Sequence, residues 1–254
     1  MPARGKSPST AVDRALGMLE ALAGAAGGLT NSELSRRLGV PKSSASYLLR
    51  ALERRGYVRR DPESGRYRPG LKVLSLNREV LTGLGIRAAA QPVLRQLVER
   101  IGLTAHLAVL DQDQAVYIEK ADAPGFIKMD TWVGRRMDLH STSVGKALIA
   151  HRPAAEVEAV LRERGLRKRT PKTLTSLPRL LKELEKVRAQ GYAVDDEENN
   201  LGARCVGAPV IGADGEVQAA VGVSGTTGQI NRDSLAKVAE LVQEAARKIS
   251  RQLG

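Results

Sequence analysis

The stretch LTNSELSRRLGVPKSSASYLLRALERRGYV, residues 29–58, constrains this chain more than any other. Thr30 and Asn31 can cap a short helix, and Glu33 stands where a capping box opened by Thr30 requires it. That helix runs to Leu38 and stops at Gly39. Val40 and Pro41 follow, and proline suits the first turn of a new helix, where its missing N–H costs nothing. In the second helix Ala45, Leu48, Leu49 and Leu52 form an apolar stripe, while Ser43, Ser46, Tyr47, Arg50 and Arg54 project from the other side. Two helices joined by a tight glycine turn, the second opening with small polar side chains, predict a helix-turn-helix. Small side chains allow close approach to a major groove, and serine and lysine can bond base edges or phosphates.

The next segment, GYVRRDPESGRYRPG, reads as strand, turn, strand and carries Arg59, Arg60, Arg66 and Arg68. A basic hairpin beside a helix-turn-helix is a wing, shaped to grip phosphate or the minor groove. Upstream, Val12, Ala15, Leu16, Leu19 and Leu22 repeat at helical spacing and predict a helix from about Ser9 to Leu22. Charge agrees with this reading. Residues 1–80 hold 15 basic and 7 acidic side chains, whereas the remaining 174 hold 25 and 21. Two-thirds of the net +12 therefore sits in less than a third of the chain, the footprint of a nucleic-acid-binding N-terminal domain. The bland alternatives are a basic protein solvated by its lysines and arginines and, for the fold, a small helical bundle whose surface hairpin serves protein contact.

Composition excludes several other classes. A length of 254 residues suits two domains, and 42% apolar content fills real cores. No apolar run approaches the ~18 residues of a membrane-spanning helix. The segment MPARGKSPST leads into a mixed-charge helical stretch, so no signal peptide and a cytoplasmic location are expected. A single cysteine cannot form an internal disulfide or a multi-cysteine metal site, and the three histidines stand far apart. No metal or cofactor is expected.

Beyond the wing, residues 71–91 look helical, with Gly83 and Gly85 inside and a break or kink expected near Pro92. A further helix begins at Leu94 and ends at Gly102. Strands are expected over 104–110, 115–120, 126–131, 192–194, 206–211 and 218–223, and helices over 143–150, 155–164, 177–190 and 235–253. Ala213-Asp214-Gly215 joins the last two strands as a hairpin. Antiparallel strands interleaved with helices predict an α+β domain rather than a dinucleotide-binding sheet.

Four segments, in order, carry a resemblance: the helix-turn-helix stretch, LHSTSVGKALIA, GYAVDDEENNLGARCVGAPV and AAVGVSG. Together they resemble the IclR (isocitrate lyase regulator) family of bacterial transcription factors over essentially the whole chain after residue 9. The resemblance implies a winged helix-turn-helix over residues 1–72, a linker helix over 73–91, and a GAF-like effector domain with an antiparallel sheet over 92–254. It also implies a homodimer or homotetramer that binds a palindromic operator in double-stranded DNA, acts as repressor or activator, and senses a small organic acid. Lys42, Ser43 and Ser44 fit the family's recognition helix, whereas Tyr47 stands where arginine is common. With Ser46, Arg50, Arg59, Arg66 and Arg68 these are the expected DNA-contacting residues.

In the effector domain, the resemblance places Asp195, the first residue of an acidic run, against the ligand, Cys205 in the pocket wall, and Ser224 as a ligand-bonding hydroxyl. Met129, Met137 and Ala203 match apolar lining positions. Gly222 stands where some members have a second serine, and the freed space would admit a longer ligand. Independently, Ser141 or Thr142 can cap a helix whose Ser143, Val144 and Gly145 amides would then be free for an anion, although an ordinary capped helix is the commoner outcome. A Walker A loop is excluded, because glycine is missing at His140 and a hydroxyl is missing at Ala147. Cys205 with His140 and Asp195 invites a second reading, a small-acid enzyme tethered to nucleic acid by its N-terminal domain. No motif around these residues supports catalysis, and a lone buried cysteine behaves mostly as a small hydrophobe.

Overall fold

A computed structural model describes residues 10–125 and 129–253. These form two compact units that divide between Gly83 and Leu84. In the first, Thr10 and Asp13 close a reciprocal cap that starts α1 (Ala11–Ala23), and Thr30 and Glu33 do the same for α2 (Asn31–Leu38). Gly39 ends α2 in the left-handed conformation at φ 65°, and the Ser35 hydroxyl, 2.6 Å from the Val40 carbonyl, holds the turn into α3 (Lys42–Arg54). Met18, Leu22, Leu34, Ala45 and Leu49 meet in one small core, closed by Val58 and Tyr67 from the hairpin β1 (Val58–Arg60) and β2 (Tyr67–Pro69). Helix α4 (Lys72–Thr82) follows and buries none of its side chains.

The linker differs from the expected single helix. The chain leaves helical geometry at Leu84 (φ −90°, ψ 86°) and resumes as α5 (Gly85–Ile101), which carries Pro92 inside it. The break falls at Leu84, between the two glycines, and not at the proline.

The second unit is an α+β fold around a six-stranded sheet. Its strands are β3 (Thr104–Asp111), β4 (Gln114–Ala121), β5 (Arg136–Met137), β6 (Ala193–Asp196), β7 (Ala203–Ile211) and β8 (Val217–Thr226). They lie in the order β5-β4-β3-β8-β7-β6, every neighbouring pair antiparallel. The closing helix α9 (Arg232–Ser250) packs on the sheet together with α5. On the other face lie α6 (Ser143–Ile149), α7 (Ala154–Arg164) and α8 (Leu177–Gln190), which share a core with Ala108, Tyr117, Ala193 and Ala220. The first half of the strand expected over 126–131 lies outside the described residues, and 129–131 are not in a strand. The sheet edge is instead the two-residue β5, set by pairing to Ala115 and Val116.

Candidate functional site

In the first unit, α3 turns Ala45, Leu48 and Leu49 inward, leaving Lys42, Ser43, Tyr47 and Arg50 exposed and Ser44 and Ser46 half-buried. Tyr47 is 65% exposed. No side chain of these six donates or accepts a hydrogen bond within the described residues; the one bond here runs from Asn31 to the Lys42 carbonyl. A surface of unsatisfied donors on a helix held from behind suits groove contact.

The wing sorts its arginines. Arg59 and Arg68 are cross-strand partners, both exposed, with no carboxylate within 4 Å among the described residues. Like charges directly opposite on a sheet repel, and a polyanion would relieve that cost. Arg66, expected to grip DNA, is placed otherwise. Its guanidinium donates to the Gly28 carbonyl at 2.8 Å and pairs with Glu33 at 3.2 Å. The backbone and hydroxyl of Thr30, with that guanidinium, hold the Glu33 carboxyl below its ordinary range. Arg66 therefore fastens the wing to the start of α2.

In the second unit, the register of four strands brings Asp195, Cys205, Ser224 and Thr104 into one row across β6, β7, β8 and β3. Three of them, Asp195, Cys205 and Ser224, line a cavity of about 260 Å³ with Met129, Met137, Ser143 and Ala203, all seven of them expected residues. Tyr117, Thr131, Arg135 and Asn199 also line it and carry no local sequence signal beyond the basic pair Arg135-Arg136. Tyr117 stacks on His106 at 4.4 Å, and His106 Nε2 lies 2.7 Å from the Thr131 hydroxyl. Burial pushes His106 down to about 3, so the ring is neutral.

Asp195 is 3% exposed, and burial raises its carboxyl to about 7. Its Oδ1 accepts from the amides of Glu198 at 2.8 Å and Asn199 at 3.2 Å, which fixes the turn after β6. Behind it, the fully buried Lys146 Nζ donates to Glu198 Oε1 at 2.6 Å and to the Val194 carbonyl. The Cys205 thiol is pushed up to about 12 by burial and by the neighbouring Asp195 charge. That is the opposite of an activated nucleophile. His140 is engaged elsewhere, its Nε2 3.0 Å from the Arg167 carbonyl.

Three expected pocket residues do not line the cavity. Thr142 caps α6 and takes the Gly145 amide at 3.1 Å, so that amide is not offered to an anion. Val144 points into the core. Gly222 does not enlarge the pocket, because a Cβ there would lie 2.5 Å from Val144 Cγ1. The missing side chain, like that of Gly207 opposite it, is what lets α6 lie directly on the sheet.

Among the described residues no three potential ligands gather to hold a metal ion, and no helix is long and apolar enough to cross a membrane. Comparison with known proteins accords with both units. The family model of the IclR helix-turn-helix domain matches residues 11–62, and that of the bacterial transcriptional regulator IclR C-terminal domain matches residues 78–251. The chain is 37% identical over 243 residues to the HTH-type transcriptional regulator XynR of Escherichia coli K12, covering 96% of each. It is 35% identical to KdgR of the same strain, covering 96% of this chain and 93% of that one. The crystal structure of Thermotoga maritima IclR superposes with a TM-score of 0.79 at 34% identity, covering 96% of this chain and 98% of that one. A reading surface on a winged helix, a sheet-lined pocket behind it in sequence, and matches across both units give one conclusion: this chain belongs to the IclR family of DNA-binding transcriptional regulators.

Proposed function

We propose that this regulator reads a palindromic operator through α3 and the wing as a homodimer or homotetramer, and that a small organic acid in the sheet-lined cavity controls it. The observation that carries the second half is the convergence on one cavity of seven residues from separate segments, together with the cation Arg135. Among the described residues the only carboxylate within 4 Å of Arg135 is the exposed Asp130, at 4.0 Å; its guanidinium also lies over the Trp132 ring at 4.7 Å, so no close anion neutralises its charge. A cavity of about 260 Å³ suits a small acid, being below the ~300–1,000 Å³ of drug-sized sites. Assembly is supported by α4, whose Leu74, Leu76 and Val80 are at least half exposed on a helix that buries nothing. The enzyme reading has no comparable support, since the thiol it needs is held protonated.

The DNA half is tested on the wing and the helix separately. Arg59→Ala or Arg68→Ala should weaken binding to every sequence alike and flatten the slope of log K against log salt by about 0.9 for each phosphate no longer neutralised. Ser43→Ala or Tyr47→Ala should change which operators are preferred, by roughly 1–3 kcal/mol for each base pair read. Fluorescence anisotropy across a salt series measures both, and the reverse pattern would exchange the roles of wing and helix.

The effector half is tested by thermal shift against keto, hydroxy, ureido and aromatic acids. A ligand at about 100 times Kd should add about 2.7 kcal/mol, or roughly 5–10 °C, and Ser224→Ala should reduce the shift. Near pH 7 Asp195 exchanges its proton, and its acid form can donate to a bound carboxylate. That carboxylate raises Asp195 further, so the complex keeps a proton that the free protein loses above pH 7. Affinity should therefore be full below pH 7 and fall by up to about tenfold per pH unit above it. Asp195→Asn keeps a donor and an acceptor but cannot titrate, and should flatten the profile. A steep profile surviving in Asp195→Asn would remove Asp195 from the contact.

A further inference from the structure

A second cavity, of about 440 Å³, adjoins the first and shares Arg135, Met137, Asn199 and Asn200 with it. Its remaining wall is Arg136 and Asp138 together with the segment Arg167-Lys168-Arg169 from the connection between α7 and α8. That connection is held at both ends. On one side the Arg167 carbonyl meets His140 Nε2 at 3.0 Å. On the other, the Thr170 hydroxyl donates to the Glu197 carbonyl at 2.7 Å and the Thr173 hydroxyl to the Glu198 carbonyl at 2.6 Å. Lys172 also pairs with Glu197. The basic triplet is thus pinned to the same turn that positions Asp195.

Within the triplet the charges are used unequally. Arg169 is neutralised by Asp138, Nε to Oδ2 at 2.7 Å, and Arg136 at the same mouth pairs with Asp111. Arg167 and Lys168 are exposed and have no carboxylate within 4 Å among the described residues. Two adjacent cations on a fixed backbone, with a third, Arg135, lining the same cavity, create a positive field that a bound anion would relieve.

Resting on the acid-sensing reading above, we propose that the effector carries two anionic groups. One lodges in the inner cavity beside Asp195 and Ser224. The other reaches past Arg135 and Asn200 to the outer cavity and meets Arg167 and Lys168. The outer group is an oxyanion, supplied by a carboxylate or a phosphate-like head.

Calorimetric titration of the full chain at pH 7 tests this with unbranched dicarboxylates from succinate to azelate, the monocarboxylates of equal length, and matching ω-phosphonocarboxylates. One or more of the two-headed acids should bind about tenfold or more tighter than the monoacid of the same length, as charge-assisted contacts at the outer end require. The better of the two heads names the outer group. In Arg167→Ala/Lys168→Ala that preference should vanish while monoacid affinity stays; in Ser224→Ala all three series should weaken. Equal binding of one- and two-headed acids, or a preference that survives the double variant, overturns the outer site and leaves the inner one standing. Loss of operator affinity in the double variant without any acid would assign the triplet to DNA instead. If none of the three series binds, the acid-sensing reading falls and this proposal falls with it.

Discussion

Lys146→Ala is expected to cost the second unit about 3–5 kcal/mol, because it removes one partner of a buried ion pair and leaves the other uncompensated. Lys146 is fully buried, and its ammonium donates to Glu198 Oε1 and to the Val194 carbonyl. Burial already lifts the Glu198 carboxyl above its ordinary range, and Lys146 is the main group opposing that lift. Without the lysine the folded-state value rises further. The sign follows: the variant is least impaired where Glu198 can take up a proton, and the penalty grows as pH rises through and beyond the ordinary carboxylate range. Urea denaturation at pH 5 and pH 8 should show the larger loss at pH 8, and Tm should fall by about 10 °C there. Lys146→Met/Glu198→Leu should recover most of the stability, since apolar replacement of a whole buried pair is often neutral. A single variant as stable as the parent at both pH values would mean that water reaches the pair. Val194 and Glu198 flank Asp195, so the single variant should also lose effector affinity.

Gly222→Ser carries the second large effect. A Cβ at 222 would stand 2.5 Å from Val144 Cγ1, and valine is stiff at χ1, so the clash cannot be relieved by a small rotation. Overpacking of this kind costs about 1–3 kcal/mol, and more where backbone must shift. Val144→Ala alone opens a void in the core beneath α6 and is destabilising as well. In Val144→Ala/Gly222→Ser one change fills what the other empties. The double variant should be more stable than the two separate losses sum to, by about 1 kcal/mol or more. Additive losses in chemical denaturation would show that α6 moves away from the sheet instead.

Most of the helices were legible because their ends carry chemistry. Thr30, Glu33 and Gly39 delimit α2, and the helical period over 177–190 coincides with α8. The hairpin turn after β7 and the strands over 104–110 and 115–120 were equally plain. Pro92 marks no break, because a proline within a helix packed against β3 and β4 is tolerated where an isolated helix would break. β5 left no trace, being two residues long and defined only by its partner strand.

The pocket was legible only where a motif touched it. Asp195, Cys205 and Ser224 come from three different strands, and only strand register aligns them. Tyr117 reads as an ordinary core residue of a strand, and Asn199 as part of a polar turn. Gly222 was read by what it lacks, whereas its meaning lies in the Val144 side chain that fills the space. Arg66 shows the same limit: composition counts its charge with the wing, but its partner Glu33 lies in another element.

The division of labour in the first unit has a consequence for descent. The caps of α2, the Arg66–Glu33 fastening and the core beneath α3 use none of the outward side chains at positions 42, 43, 44, 46, 47 and 50. After a gene duplication, one copy can drift through substitutions at those six sites toward a new operator without first acquiring compensating changes in its scaffold. Paralogues of this chain should therefore diverge fastest on the outward face of α3 while keeping Thr30, Glu33 and Arg66 together as a covarying set.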